Sequence, residues 1–160
     1  MRERPPFRGD HVGSLLRPGR LHRARADHAA GRMSDEGLRT VEDGAIRDVV
    51  RMQESVGLPA ATDGEFRRAS WHMDFIYQLG GITRSKDNIT VQFHNADGDI
   101  EFTPAALYVD GKLGVSETIF GDDFAFLRES VTRNVPKLTI PSPSMVHYRG
   151  GKAAIDESVY

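Results

Sequence analysis

Two carboxylates flanking a glycine and followed by two guanidinia form the most chemically loaded stretch of the chain: Asp63-Gly64-Glu65-Phe66-Arg67-Arg68, directly after the small-residue run Ala60-Ala61-Thr62. A carboxylate at a strand tip suits a cationic group on a ligand, and exposed amides beside a glycine suit an anionic one. A second stretch of this kind is His11-Val12-Gly13-Ser14, and a third is Pro141-Ser142-Pro143-Ser144, where two prolines fix the backbone. Each has a purely structural alternative. Asp63 would cap the next helix and Glu65 would pair with Arg67 or Arg68 on the surface, while Gly13-Ser14 would be a plain turn. Trp71 and His72 would then be core packing and a surface polar contact.

The elements that must position these stretches follow from periodicity. Leu38, Val41, Ala45, Val49, Met52 and Val56 recur at steps of three and four, predicting one apolar helix face. Ser34 caps that helix, Asp35 and Glu36 face the positive end of its dipole, and Gly57 ends it. After Leu58-Pro59 the chain must extend, so a short strand delivers Asp63 to Glu65 at its C-terminal edge. Upstream, His11 to Leu16 predicts another strand. Pro18 then opens a helix with Leu21, Ala24 and His28 on one face, stopped at Gly31. This order implies parallel strands whose tips share one pocket.

Ser70 to Leu79 predicts a short amphipathic helix, ended by Gly80-Gly81, whose aromatics cover the pocket. Asn88 to His94 and Ile100 to Thr103 predict a hairpin around Asp97-Gly98, and Ala105 to Val109 leads into Asp110-Gly111, a second hairpin signal. Asp123 to Val131 returns to helical spacing, and Lys137 to Ile140 reads as a third parallel strand. The expected fold class is α/β. Parallel strands without sheet neighbours lead to the expectation that residues 1–160 are the N-terminal part of a single (β/α)8 TIM-barrel domain, a fold of ~250 residues, with about 82–120 as an inserted hairpin excursion. A compact doubly wound domain, complete as it stands, is the alternative.

With 160 residues, 39% hydrophobic content and a formal charge of −2, the chain has the make-up of one globular domain with a real core. Interspersed acids and bases argue against a nucleic-acid partner, and no apolar run reaches the ~20 residues of a membrane span. Without a secretion signal the expected location is cytoplasmic. There is no cysteine, hence no disulfide, thiolate metal ligand or cysteine nucleophile in these residues, and the six histidines show no pair at metal spacing.

Three blocks together resemble the cobalamin-independent methionine synthase family and its short relatives made of the catalytic barrel alone. They are His11-Val12-Gly13-Ser14, then Gln53-Glu54-Ser55-Val56-Gly57-Leu58 running into Asp63-Gly64-Glu65-Phe66-Arg67-Arg68, and Pro141-Ser142-Pro143-Ser144. The resemblance implies a TIM-barrel S-methyltransferase in which a zinc-activated homocysteine thiolate attacks a methyl donor, with methyltetrahydrofolate as co-substrate. It implies Val12, Gly13 and Ser14 at the amino-acid part of homocysteine and Glu65 at its ammonium. Asp63 and Ser144 join them as substrate-binding residues, and His11, Arg17, Arg67, Trp71 and His147 form the expected pocket wall. Asp63 stands where the family has His, and Met145-Val146-His147-Tyr148-Arg149 stands where it has a tryptophan-bearing segment. The zinc ligands of the family, His, Glu and two Cys, come from later strands, so they are expected beyond Tyr160, and no catalytic group is expected within this chain. Its expected partners are a homocysteine-like thiol, a methyl donor, and the remainder of the barrel or a second copy. Two other functions remain open: a uroporphyrinogen decarboxylase or corrinoid methyltransferase barrel, with Arg17, Arg67 and Arg68 holding substrate carboxylates, and a non-catalytic binding or assembly module.

Overall fold

The computed structural model describes residues 9–84, 91–95, 98–102, 107–146 and 151–159. In chain order the elements are α1 (Gly19–Ala29), α2 (Asp35–Ser55), β1 (Ala60–Ala61), α3 (Met73–Ile76), β2 (Gly80–Arg84), β3 (Val91–Asn95), β4 (Gly98–Phe102), β5 (Leu107–Gly114), α4 (Gly121–Ser130) and β6 (Val135–Pro136), followed by two single 3-10 turns. They fall into two compact units, Met1–Ala69 with Phe120–Thr139, and Ser70–Ile119 with Ile140–Tyr160. Among the described residues the strands form three two-stranded sheets and no closed barrel.

The first unit is built on α2. The Ser34 hydroxyl accepts from the Gly37 amide at 3.1 Å, satisfying one of the orphan donors of the first turn. At the other end Gly57, at a φ of 79°, reverses the chain while the Leu58 amide donates back to the Gln53 carbonyl. The face that α2 buries is Glu42, Ala45, Ile46, Val49, Val50 and Gln53. This corrects the predicted stripe at its C-terminal end, where Met52 and Val56 are exposed. The helix turns its polar Gln53 inward, and apolar periodicity is blind to a buried polar residue. Leu21 of α1, Ala61 of β1, Leu127 of α4 and Phe66 complete the core against Ala45, Ile46, Val49 and Val50. Full burial of a side chain such as Phe66 stabilises by about 2 to 3 kcal/mol.

β1 pairs with β6 in parallel, Ala60 opposite Val135 and Ala61 opposite Pro136. The ladder extends by the Val135 amide to the Pro59 carbonyl and the Lys137 amide to the Ala61 carbonyl. The expected strand at Lys137 to Ile140 is therefore displaced toward the N-terminus. His11 to Leu16 is not a strand: threonine hydroxyls, rather than a neighbouring strand, take the Val12 and Gly13 carbonyls.

In the second unit α3 is one turn rather than the ten residues expected. The Ser70 hydroxyl accepts from the Met73 amide and Asp74 reaches back to the Ser70 amide, so the residues before Met73 form a cap. β3 and β4 pair antiparallel from Val91 opposite Phe102 to Asn95 opposite Gly98, as the hairpin signal predicts; Asp97 itself lies outside the described residues. The second signal, Asp110-Gly111, is no turn. β5 runs through it because β2 lies alongside, and the two backbones close so tightly that a Cβ on Gly81 would sit 2.7 Å from the Gly111 carbonyl carbon. Met73, Ile76, Leu107, Val109 and Val146 form this unit's core. No helix among the described residues is long and apolar enough to cross a membrane.

Candidate functional site

Two polar side chains hold the end of β1 in place. The Gln53 Nε2 donates to the Thr62 carbonyl at 2.9 Å and its Oε1 accepts from the Thr62 amide at 3.0 Å. The Thr62 hydroxyl donates to the Gly13 carbonyl at 2.8 Å, and the Leu15 amide donates to the Gly64 carbonyl at 3.1 Å. The Thr139 hydroxyl, three residues beyond β6, donates to the Val12 carbonyl at 2.9 Å. Residues 12–15 are thus laid beside the 62–65 tip by side chains, as the βαβ reading requires of their position though not of their conformation.

The turn itself is wound the uncommon way. Gly64 has a φ of 68° and Glu65 a φ of 58°, a left-handed conformation that costs a non-glycine residue about 1 to 2 kcal/mol. Asp63 stabilises it by accepting from the Glu65 amide at 2.9 Å. The outer carbonyls are gripped by guanidinia: Arg17 Nη2 donates to Glu65 O at 2.9 Å and Arg68 O at 2.6 Å, and Arg25 donates to Phe66 O. Asp63 therefore shapes its own turn rather than capping a helix.

The result is a close approach of Glu65 to Gly13. A Cβ on Gly13 would collide with Thr139 Oγ1 and lie 2.7 Å from Glu65 Oε1, so any larger residue has to displace both side chains. The amides of Val12, Gly13 and Ser14 make no hydrogen bond within the described residues, and the Ser14 side chain is exposed. A carboxylate and a set of open N–H donors consequently meet within one small neighbourhood.

Glu65 is buried, at 3% exposure, and Arg68 Nη1 stands 3.8 Å from its Oε1, with Arg68 Nη2 donating to Thr139 O at 2.7 Å. The pairing of Glu65 with Arg68 is real but buried, not the surface contact of the structural alternative. Arg67 turns the other way, to Asp43, to Glu42 at 3.9 Å and to Asp123 at 3.3 Å, with its guanidinium 4.7 Å from the Phe126 ring centroid. Burial pushes the Glu42 carboxyl above its ordinary value, and Arg25 and Arg67 pull against that shift. Arg17, Arg67 and Arg68 all reach protein acceptors, so none is presented as the substrate-carboxylate clamp of the decarboxylase-type alternative.

The other expected residues fall in both units. His11 is half-buried and its backbone carbonyl accepts from Lys137, while the Val12 side chain is exposed. Trp71 and Ser144 belong to the second unit. Trp71 is exposed against the buried His72 ring, centroids 4.4 Å apart, and Ser144 lines an apolar cavity of about 510 Å³ with Phe75, Ile76, Leu79, Leu113 and Val146. His147 lies outside the described residues. Thr62, Thr139 and Arg25, which sequence reasoning passed over, do much of the positioning. Gln53 was visible only as part of its motif.

No protein-family model matches the chain. It is 41% identical over 149 residues to the uncharacterised protein YxjG of Bacillus subtilis, covering 93% of this chain and 38% of that protein. It is 34% identical over 83 residues to the 5-methyltetrahydropteroyltriglutamate–homocysteine methyltransferase of Rhodopseudomonas palustris, covering 52% of this chain and 10% of that enzyme. Among solved structures, a Listeria monocytogenes protein described as a candidate vitamin-B12-independent methionine synthase superposes with a TM-score of 0.70 at 36% identity, over 94% of this chain and 40% of that one. The chain thus spans about two fifths of the length of the relatives it matches along most of its own.

Proposed function

From the kinship of this chain with the cobalamin-independent methionine synthases, we propose that it supplies the amino-acid pocket of a cytoplasmic S-methyltransferase with a (β/α)8 barrel, of which these residues are the N-terminal portion. The observation that carries the reading is the Glu65 carboxylate set against Gly13, next to the open amides of Val12, Gly13 and Ser14. An α-amino acid presents charges of the complementary pattern. Its ammonium pairs with Glu65, and its carboxylate takes the amides and the Ser14 hydroxyl, each a charge-assisted bond. Two-point capture of the head group leaves the side chain of a homocysteine-like substrate directed away from the turn, with its sulfur as the nucleophile toward a methyl donor such as methyltetrahydrofolate.

These residues do not fit a zinc site. The chain has no cysteine, and no group of three His, Asp or Glu side chains among the described residues could hold a metal. The chemistry assigned to this chain is therefore binding and orientation, with the zinc ligands in residues other than these.

Calorimetric titration of homocysteine into the protein and into Glu65→Gln tests the reading. The substitution removes one charge-assisted bond, about 1.5 to 3 kcal/mol, so affinity should fall on the order of 10- to 100-fold. Equal affinities would reduce Glu65 to a partner of Arg68.

A further inference from the structure

Glu65 and Phe120 are the two non-glycine residues with positive φ among the described residues, each at 58°. One guanidinium touches both. Arg68 lies 3.8 Å from Glu65 Oε1, and its Cζ is 4.4 Å from the centroid of the Phe120 ring. Phe120 is an improbable occupant of its position on two counts. It is the residue preceding α4, where the side-chain oxygen of Ser, Thr, Asp or Asn would accept from a first-turn amide, and it gives no side-chain cap. It also holds a left-handed conformation that a bulky side chain rarely adopts. Its backbone is thus unfavourable locally, and its ring is spent on Arg68.

A ring face attracts a guanidinium, most strongly where water is excluded, and the Arg68 side chain is 3% exposed. With Nη2 fixed on Thr139 O and its face fixed on Phe120, Arg68 has little freedom to rotate away from Glu65. We propose that Phe120 is a positioning residue for amino-acid binding: its ring locks Arg68, and Arg68 in turn sets the Glu65 carboxylate against Gly13. This rests on the reading of Glu65 as the ammonium acceptor.

Three variants of the protein test it, each measured for thermal unfolding and for homocysteine affinity by calorimetry. Phe120→Gly removes the backbone strain and the ring together, so its unfolding midpoint should hold or rise while affinity falls about 5- to 10-fold. Phe120→Leu keeps the bulk without the ring face and should show the same loss. Phe120→Tyr keeps the face and should stay within about twofold of the parent. Parental affinity in folded Phe120→Leu or Phe120→Gly overturns the proposal, as does a Phe120→Tyr no better than Phe120→Leu. If the unsubstituted protein binds no homocysteine, the reading of Glu65 fails and the proposal with it; if it binds and the variants bind equally, only the role of Phe120 fails.

Discussion

The side-chain amide of Gln53 bonds both backbone groups of Thr62, donating to its carbonyl at 2.9 Å and accepting from its amide at 3.0 Å. A helix residue thereby does for Thr62 what a neighbouring strand would do. Replacing Gln53 with Leu leaves a buried N–H and a buried C=O unpartnered, at about 1 to 3 kcal/mol each. The expected loss is about 3 kcal/mol in urea unfolding; a loss below about 1 kcal/mol would mean that water reaches Thr62.

Gly13→Ala forces a methyl group against Glu65 Oε1 and the Thr139 side chain. Overpacking of this kind costs about 1 to 3 kcal/mol. Because the displaced carboxylate is the proposed ammonium acceptor, homocysteine affinity should fall further than stability does. A variant with parental affinity would show that Glu65 can move without consequence.

Glu65→Gln carries a stability effect of its own. The sequence suggests a solvent-reaching tip residue whose loss leaves the fold intact, whereas the carboxylate is buried against Arg68. Removing its charge leaves a buried guanidinium with a neutral partner, and about 3 to 5 kcal/mol of stability should go with it. Chemical denaturation of Glu65→Gln beside Arg68→Met and the double variant reads the coupling; strict additivity would deny the pair any interaction.

Burial raises the Glu42 carboxyl above the ordinary value of a glutamate. A carboxyl with a raised folded value binds its proton more tightly when folded, so its contribution is complete below pH 4.5 and lost as pH rises through the raised value. The difference in stability, Glu42→Gln minus parent, should therefore grow as pH rises from the ordinary glutamate range toward neutrality in urea unfolding. A difference that is flat over this window would show that the Arg25 and Arg67 guanidinia cancel the burial.

Zinc should not be retained by this chain after dialysis against a weak chelator, because no thiolate is available and no three-member ligand cluster exists among the described residues. Stoichiometric metal by elemental analysis would overturn the assignment of the ligands to other residues.

The long helix, its Ser34 cap and its Gly57 stop were legible because each is a local backbone requirement met by one residue type. The juxtaposition of Gly13 with Glu65 was legible from the order of elements. What stayed hidden was how the juxtaposition is held. Thr62, Thr139, Arg17 and Arg25 act through backbone carbonyls distant in sequence, and a hydroxyl or guanidinium gives no periodic signal of its target. Asp110-Gly111 misled for a related reason: the dipeptide permits a turn, but β2 lying alongside decides against it.

The Glu54 carboxylate accepts from the amides of Thr132 and Arg133, tying the end of α2 to the approach to β6 across 78 residues of chain. That separation bears on the order of events during synthesis. Closing such a loop costs on the order of 4 kcal/mol of chain entropy before β1 and β6 gain anything from pairing. The α1–α2 pair is local and free to associate as soon as it leaves the ribosome, but β1 must wait, extended and unpaired, until the whole intervening segment has emerged. During that interval Ala60 and Ala61 lack the strand they pair with, whereas Thr62 to Glu65 already have Gln53, Asp63 and Leu15 upstream to bond to, so the turn that carries the site can form before the sheet beneath it closes.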